Sequence, residues 1–138
     1  MTTNTPLLLI TADPSHPLAR LALRYAKAYL QSAANEDNTN INVSLNLFFY
    51  GDAAHIANRL RWQSADQVNL TKEWQGLAEQ YELSLPVCVS TALSRGISDT
   101  DNSTRHQLDA DNLATGFTLV GLSELAIMMQ DNRYLMQF

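Results

Sequence analysis

The chain holds a single cysteine, Cys88, which excludes an internal disulfide and a multi-thiolate metal site. Its five glycines and four prolines among 138 residues exclude collagen-like and linker-type sequence. Basic residues are scarce: nine Lys plus Arg against fourteen Asp plus Glu leave a net charge of -5. That is the wrong sign for a protein whose affinity rests on neutralising phosphates, so direct, tight nucleic-acid binding by this chain alone is not expected. Long apolar runs are missing too. The longest stretch, Phe117 to Met129, is broken by Gly121, Ser123 and Glu124 and falls short of the roughly 20 residues that cross a bilayer. No basic residue precedes Leu7-Leu8-Leu9-Ile10, so a cleaved signal peptide is not expected and the cytoplasm is the default location. The three histidines, His16, His55 and His106, show no HxH or HExxH spacing, and neither GxGxxG nor GxxxxGK[ST] occurs. Neither a metal nor a cofactor is expected.

The remaining composition, 46% hydrophobic and 17% charged, fits one folded domain over residues 1–138. Leu7 to Thr11 reads as a buried strand, and its continuous apolar character points to a sheet covered on both faces. The turn Asp13-Pro14-Ser15-His16-Pro17 follows, with Ser15 placed to cap a helix and Pro17 suited to its first turn. Leu18, Leu21, Ala22, Tyr25 and Tyr29 give that helix an apolar stripe, and Arg20, Arg24 and Lys27 lie on its polar side. After the polar stretch Asn35 to Asn40, alternation over Ile41 to Tyr50 predicts a second strand. Asp52 is then placed to cap a short helix running through Ala54, Ile56, Ala57 and Leu60.

Leu70, Trp74, Leu77, Ala78 and Tyr81 predict an amphipathic helix, with Trp74 and Tyr81 facing the core in preference to a base. Ser84 to Val89 is a strand, with Pro86 near its start and Cys88 near its far end. Ser90 to Arg95 makes a short helix closed by Gly96. The polar segment Ile97 to Asn112 reads as an exposed, mobile loop and a candidate lid. Leu113 to Met129 is helical in character, and Tyr134 to Phe138 forms a last strand. Strands alternating with helices predict a small α/β domain with parallel pairing and right-handed crossovers, in which binding residues gather at strand carboxyl ends.

Cys88 falls where a strand gives way to a helix, a position that favours thiolate, the reactive form. The amides of Val89, Ser90 and Thr91 and the side chain of Arg95 follow closely. An inert buried thiol between Val87 and Val89 is the alternative, since free cysteine is among the most buried residue types. Asp13 is a strand-end residue that serves either a site or a loop cap. Around Ile127, Met128 and Met129 nearly the whole helix circumference is apolar, and with Phe48 and Tyr50 this exceeds what one small core needs, which predicts burial against another subunit.

Several stretches together carry a resemblance: Leu47-Phe48-Phe49-Tyr50-Gly51-Asp52, Ala57-Asn58 with Leu60, and Trp74 with Leu77. To these are added Val87-Cys88-Val89 before Ala92-Leu93 and Arg95-Gly96, then Asn112-Leu113, Gly116-Phe117, Gly121-Leu122 and Arg133 to Phe138. From about Leu7 to its end the chain resembles the DsrE-like sulfurtransferase family. The resemblance implies a small parallel-sheet fold and Cys88 as a persulfide-carrying catalytic residue. It also implies a heterohexamer with TusB-like and TusC-like subunits, a TusA-like sulfur donor and a TusE-like acceptor, in a relay toward 2-thiolation of the tRNA wobble uridine. Dissimilatory sulfur oxidation and a non-catalytic scaffold subunit are the alternatives within the same family, and a homo-oligomer is expected when the chain is produced alone.

Overall fold

Leu7, Leu8 and Ile10 are completely buried in a central strand, and the reason is the order in which the sheet is assembled. In the computed structural model, which describes residues 3–36 and 44–138, five strands lie in the order β4-β3-β2-β1-β5. They are β1 (Thr3–Ile10), β2 (Asn46–Phe49), β3 (Leu85–Cys88), β4 (Phe117–Val120) and β5 (Asn132–Gln137). Every pairing is parallel, as the alternation of elements predicts. The helices are α1 (Pro17–Glu36), α2 (Leu70–Tyr81), α3 (Val89–Leu93), α4 (Thr100–Arg105) and α5 (Leu122–Asp131), with a 3-10 helix over Gly51–Ala57.

From β1 to β4 the chain steps across the sheet in one direction, so right-handed crossovers put their connections on one face. The step from β4 back to β5 reverses direction and puts α5 on the other. Side-chain alternation then makes two cores. Leu8, Ile10, Leu47, Phe49 and Val87 meet α1 and α2 in the larger one, where Phe49 packs edge-on against Trp74 and Phe117 with ring centroids 5.5 Å apart in both pairs. Leu7, Phe48 and Cys88 form the smaller one beneath α5, joined by the half-buried Leu9, Val120, Leu125 and Met128. The second cover is thin, because no residue of α5 is itself buried.

Several local expectations change in the fold. Ser15 does not cap α1: its amide and hydroxyl both donate to Asp13 Oδ1, and the Leu18 amide donates instead to His16 Nδ1. Asp52 makes no capping bond, and the 3-10 helix it sits in stops at Ala57, leaving Leu60 exposed. The polar stretch after Asn35 begins inside α1, which runs to Glu36, and β2 starts only at Asn46; the rest of the expected linker and residues 41–43 of the expected strand lie outside the described residues. Leu113 to Met129 is divided: Gly116 at φ +94° precedes an edge strand, and Gly121 precedes the helix proper. A short apolar run has no period that separates strand from helix, and only the free edge of β3 decides it. Phe48, read as excess surface, is wholly buried between β2 and α5, while Tyr50 stays exposed at 36%.

Ile97 to Asn112 is not a mobile loop. Ile97, Ser98 and Ser103 are buried, and α4 is capped by Asp99, which accepts from the Asn102 amide at 2.8 Å. The hydroxyls of Ser98 and Ser103 are 2.7 Å apart, and Ser103 also donates to the Ala110 carbonyl. Its polar residues satisfy backbone groups within the segment, where a composition reading assigns them to solvent.

Candidate active site

Cys88 is the last residue of β3 and the N-terminal cap residue of α3, with extended backbone at φ -60° and ψ 120°. Its side chain points to the α5 face and is 1% exposed. The sulfur makes no capping bond to the α3 amides, although those of Val89, Ser90 and Thr91 follow it directly in the chain. The junction is instead fixed through backbone and hydroxyl groups: Thr91 Oγ1 donates to the Cys88 carbonyl at 3.3 Å and lies 3.3 Å from the Gly51 amide, which donates to it. Gly51, at φ +63°, occupies the left-handed region that favours glycine, directly after the Phe48-Phe49-Tyr50 strand end.

Arg95 is committed to structure. Its Nε donates to Asp52 Oδ1 at 3.0 Å and its Nη1 to the Thr91 carbonyl at 3.1 Å, so the guanidinium braces the turns after β2 and β3 against each other. Gly96, at φ +79°, closes α3 as the sequence predicts, with Ile97 N donating to the Ala92 carbonyl at 2.9 Å.

The other candidates disperse. His16 caps α1, His55 lies in the 3-10 helix, and His106 follows α4; none forms a hydrogen bond with Cys88. Among the described residues no three His, Cys, Asp or Glu side chains gather as a metal site. Asp13 takes the loop-cap role, and the Ser15 hydroxyl bond, seconded by the Ser15 amide and the charges of His55 and Arg61, holds its carboxyl below the usual range against the opposing effect of burial.

The residues that composition did not nominate are Asn58 and Asn112. Asn112 Nδ2 donates to Asn58 Oδ1 at 3.1 Å and to the Gly96 carbonyl at 3.0 Å, while its Oδ1 accepts from the Ser98 amide at 2.9 Å. One side chain thereby ties the ends of the 3-10 helix, of α3 and of the α4 segment together on the carboxyl side of the sheet. Their available signal was their place in the Ala57-Asn58 and Asn112-Leu113 pairs of the family resemblance.

A parallel sheet whose one cysteine ends a strand and opens a helix defines a small α/β thiol protein. The DsrE/DsrF-like family model matches residues 7–138, and the chain belongs to that family. Among its relatives, a sulfurtransferase TusD homolog of Vibrio parahaemolyticus is 38% identical over 120 residues, covering 87% of this chain and 86% of that one. Sulfurtransferase TusD of Salmonella arizonae is 40% identical over 108 residues, 78% of each chain. These relatives support a sulfurtransferase role, within the transferases that act on sulfur-containing groups. The ychN protein from E. coli shares the fold, with a TM-score of 0.71 at 18% identity over 99% of this chain and 100% of the other. Among the described residues no helix is long and apolar enough to cross a membrane.

Proposed function

We propose that this chain is the persulfide-carrying subunit of a TusD-type sulfur relay and that Cys88 is its catalytic residue. The observation that carries the reading is the position of the chain's one cysteine, at the carboxyl edge of a parallel sheet and the start of α3. In the step proposed, the Cys88 thiolate attacks the outer sulfur of a donor persulfide. A new S–S bond forms on Cys88, the donor S–S bond breaks, and the donor leaves as a thiol after taking a proton. No net oxidation occurs and no second cysteine is needed on this chain. An acceptor thiolate then removes the same sulfur, and the donor and acceptor of the reading are TusA-like and TusE-like proteins. The relay ends in 2-thiolation of the tRNA wobble uridine, with no tight grip on tRNA by this acidic chain, and a reducing cytoplasm suits its free thiol.

The face over Cys88 supports a subunit role. Leu122, Ile127 and Met129 of α5 and Leu135 of the neighbouring edge strand are all at least 41% exposed. TusB-like and TusC-like chains are the proposed cover, in a heterohexamer; copies of the same chain substitute when it is produced alone. Light scattering behind size exclusion tests this. A single monomer peak unchanged by co-expressed TusB-like and TusC-like chains removes the assembly reading.

One observation favours a second reading, a scaffold subunit in which Cys88 only packs: its sulfur is buried and has no hydrogen-bond partner in a capping position. Intact mass after incubation with a persulfidated donor separates the two. A one-sulfur adduct on the wild type that disappears in Cys88→Ser supports the relay; no adduct on the wild type, or an undiminished one on the variant, sinks it. Loss of the 2-thio group from tRNA on deletion of the gene separates the thiolation relay from sulfur oxidation.

A further inference from the structure

A sizeable groove of the molecule lies away from Cys88. It has a volume of about 570 Å³ and runs beside the loop that follows β1, between the first turns of α1 and the segment leading into α2. Three guanidinium groups line it: Arg20 and Arg24 from α1, and Arg61. Pro14, Pro17 and Val68 supply apolar wall.

The charge there is unspent. In a chain of net charge -5, Lys27, Arg59 and Arg95 each have a carboxylate partner, at 2.7, 3.8 and 3.0 Å. Arg20, Arg24 and Arg61 have none within that reach among the described residues. Arg61 Nη2 donates to Gln63 at 3.0 Å, but its Nη1 is buried without a partner. An unpaired buried donor on a cation costs free energy. The charge of Asp13 is felt by Arg61 without an ion pair between them, and Asp13 Oδ1 accepts from the Ser15 amide and hydroxyl.

Arg20 and Arg24 stand four residues apart on one helix face, a spacing of about 6 Å between Cβ atoms at which like charges repel unless a counter-charge joins them. The α1 amides offer little to an anion, since those of Leu18 and Ala19 donate to His16. Recognition therefore falls to the guanidinium forks, which suit the planar oxygens of carboxylates and phosphates. The cavity is of small-ligand size and sits on the carboxyl edge of the sheet, where α/β folds bind ligands. No Phe, Tyr or Trp lines it, and the one ring that does, the His16 imidazole, accepts from the Leu18 amide through Nδ1.

We infer that this groove, lined by Arg20, Arg24 and Arg61, binds a small polyanion carrying two or more carboxylate or phosphate groups. The site is separate from Cys88 and stands whether or not Cys88 carries sulfur. Isothermal titration of the full chain at low salt with citrate and, separately, inorganic pyrophosphate tests it and distinguishes the two sources of oxyanion. Binding of either at millimolar affinity or tighter is expected. Arg20→Gln and Arg24→Gln should each weaken it about tenfold, the loss of one charge-assisted bond. Arg105→Gln, which removes an equal charge outside the groove, should change it less than about twofold. Should Arg61→Gln fail to fold, the two exposed α1 variants still decide the matter. No binding of either anion, or an equal loss with Arg105→Gln, overturns the site. Binding of a Glu-Leu-Glu-Leu-Glu peptide more than about tenfold tighter than both, with the same dependence on Arg24, overturns the small-ligand class in favour of a protein segment.

Discussion

Arg95 Nε and Asp52 Oδ1 are 3.0 Å apart, and through this pair the turn that follows β2 is locked to the helix that follows Cys88. Asp52 is exposed and Arg95 largely covered, so the pair contributes about 1 kcal/mol or less to stability. Its larger effect is positional, because Arg95 also holds the Thr91 carbonyl one turn from the cysteine. Asp52→Asn and Arg95→Gln are expected to shift the thermal midpoint by a few degrees at most while slowing sulfur uptake at Cys88 severalfold. A large midpoint loss with uptake unchanged would reassign the pair to folding alone.

Leu125 and Met128 bring α5 into the cluster that contains Cys88. Because α5 buries no residue of its own, shortening either side chain opens this cover more than it unfolds the chain. Met128→Ala is expected to raise the rate of Cys88 alkylation by iodoacetamide at neutral pH about tenfold over the wild type. Near-UV circular dichroism would remain native. An unchanged rate would show that access to the sulfur does not pass beneath α5.

Phe49 stands at the centre of the other core, between Trp74 and Phe117. Truncation leaves a cavity that three elements border, and Phe49→Ala should cost about 3–5 kcal/mol in urea unfolding. Phe49→Leu, which restores much of the volume, should recover over half of that. Equal losses for the two would mean that the ring contacts outweigh volume.

Asp13 supplies a pH signature. Its folded carboxyl lies below its ordinary value of 3.8, chiefly because the Ser15 hydroxyl binds the ionised form. The stabilisation is thus fully present above the unfolded value and is lost as pH falls through the lowered folded value. Asp13→Ala is expected to be less stable than the wild type by under about 1 kcal/mol at pH 7. The two denaturation midpoints should converge in acid below the ordinary carboxylate range. A gap that widens on acidification would contradict the sign of the shift.

Reading by period worked where one neighbour decides the element. Leu8 and Ile10 of β1, Ala22, Tyr25 and Tyr29 of α1, and Leu70-Trp74-Leu77-Ala78 face the larger core, so pattern locates them, whereas Leu7 turns to the smaller core and Leu18 and Leu21 of the expected α1 stripe are exposed. Gly96 is legible for the same reason, since a left-handed residue ends a helix locally. The position of Cys88 at a strand-to-helix junction was legible, but its surroundings were not. Whether Arg95 meets the sulfur or Asp52 depends on a residue 43 positions away.

Polarity misled most between Ile97 and Asn112, because a serine that bonds Ser103 and an asparagine that closes three loops have the same composition as residues left in water. Sequence by itself determined the parallel α/β architecture, the acidic surface and the single thiol, all of which follow from local period, charge and count. Tertiary structure alone decided that Phe117 to Val120 is a strand, that Phe48 is buried, and that Arg20, Arg24 and Arg61 share one groove. Each of those outcomes depends on which distant backbone edge or side chain becomes the neighbour, and the sheet order that brings them together is set by the reversal between β4 and β5.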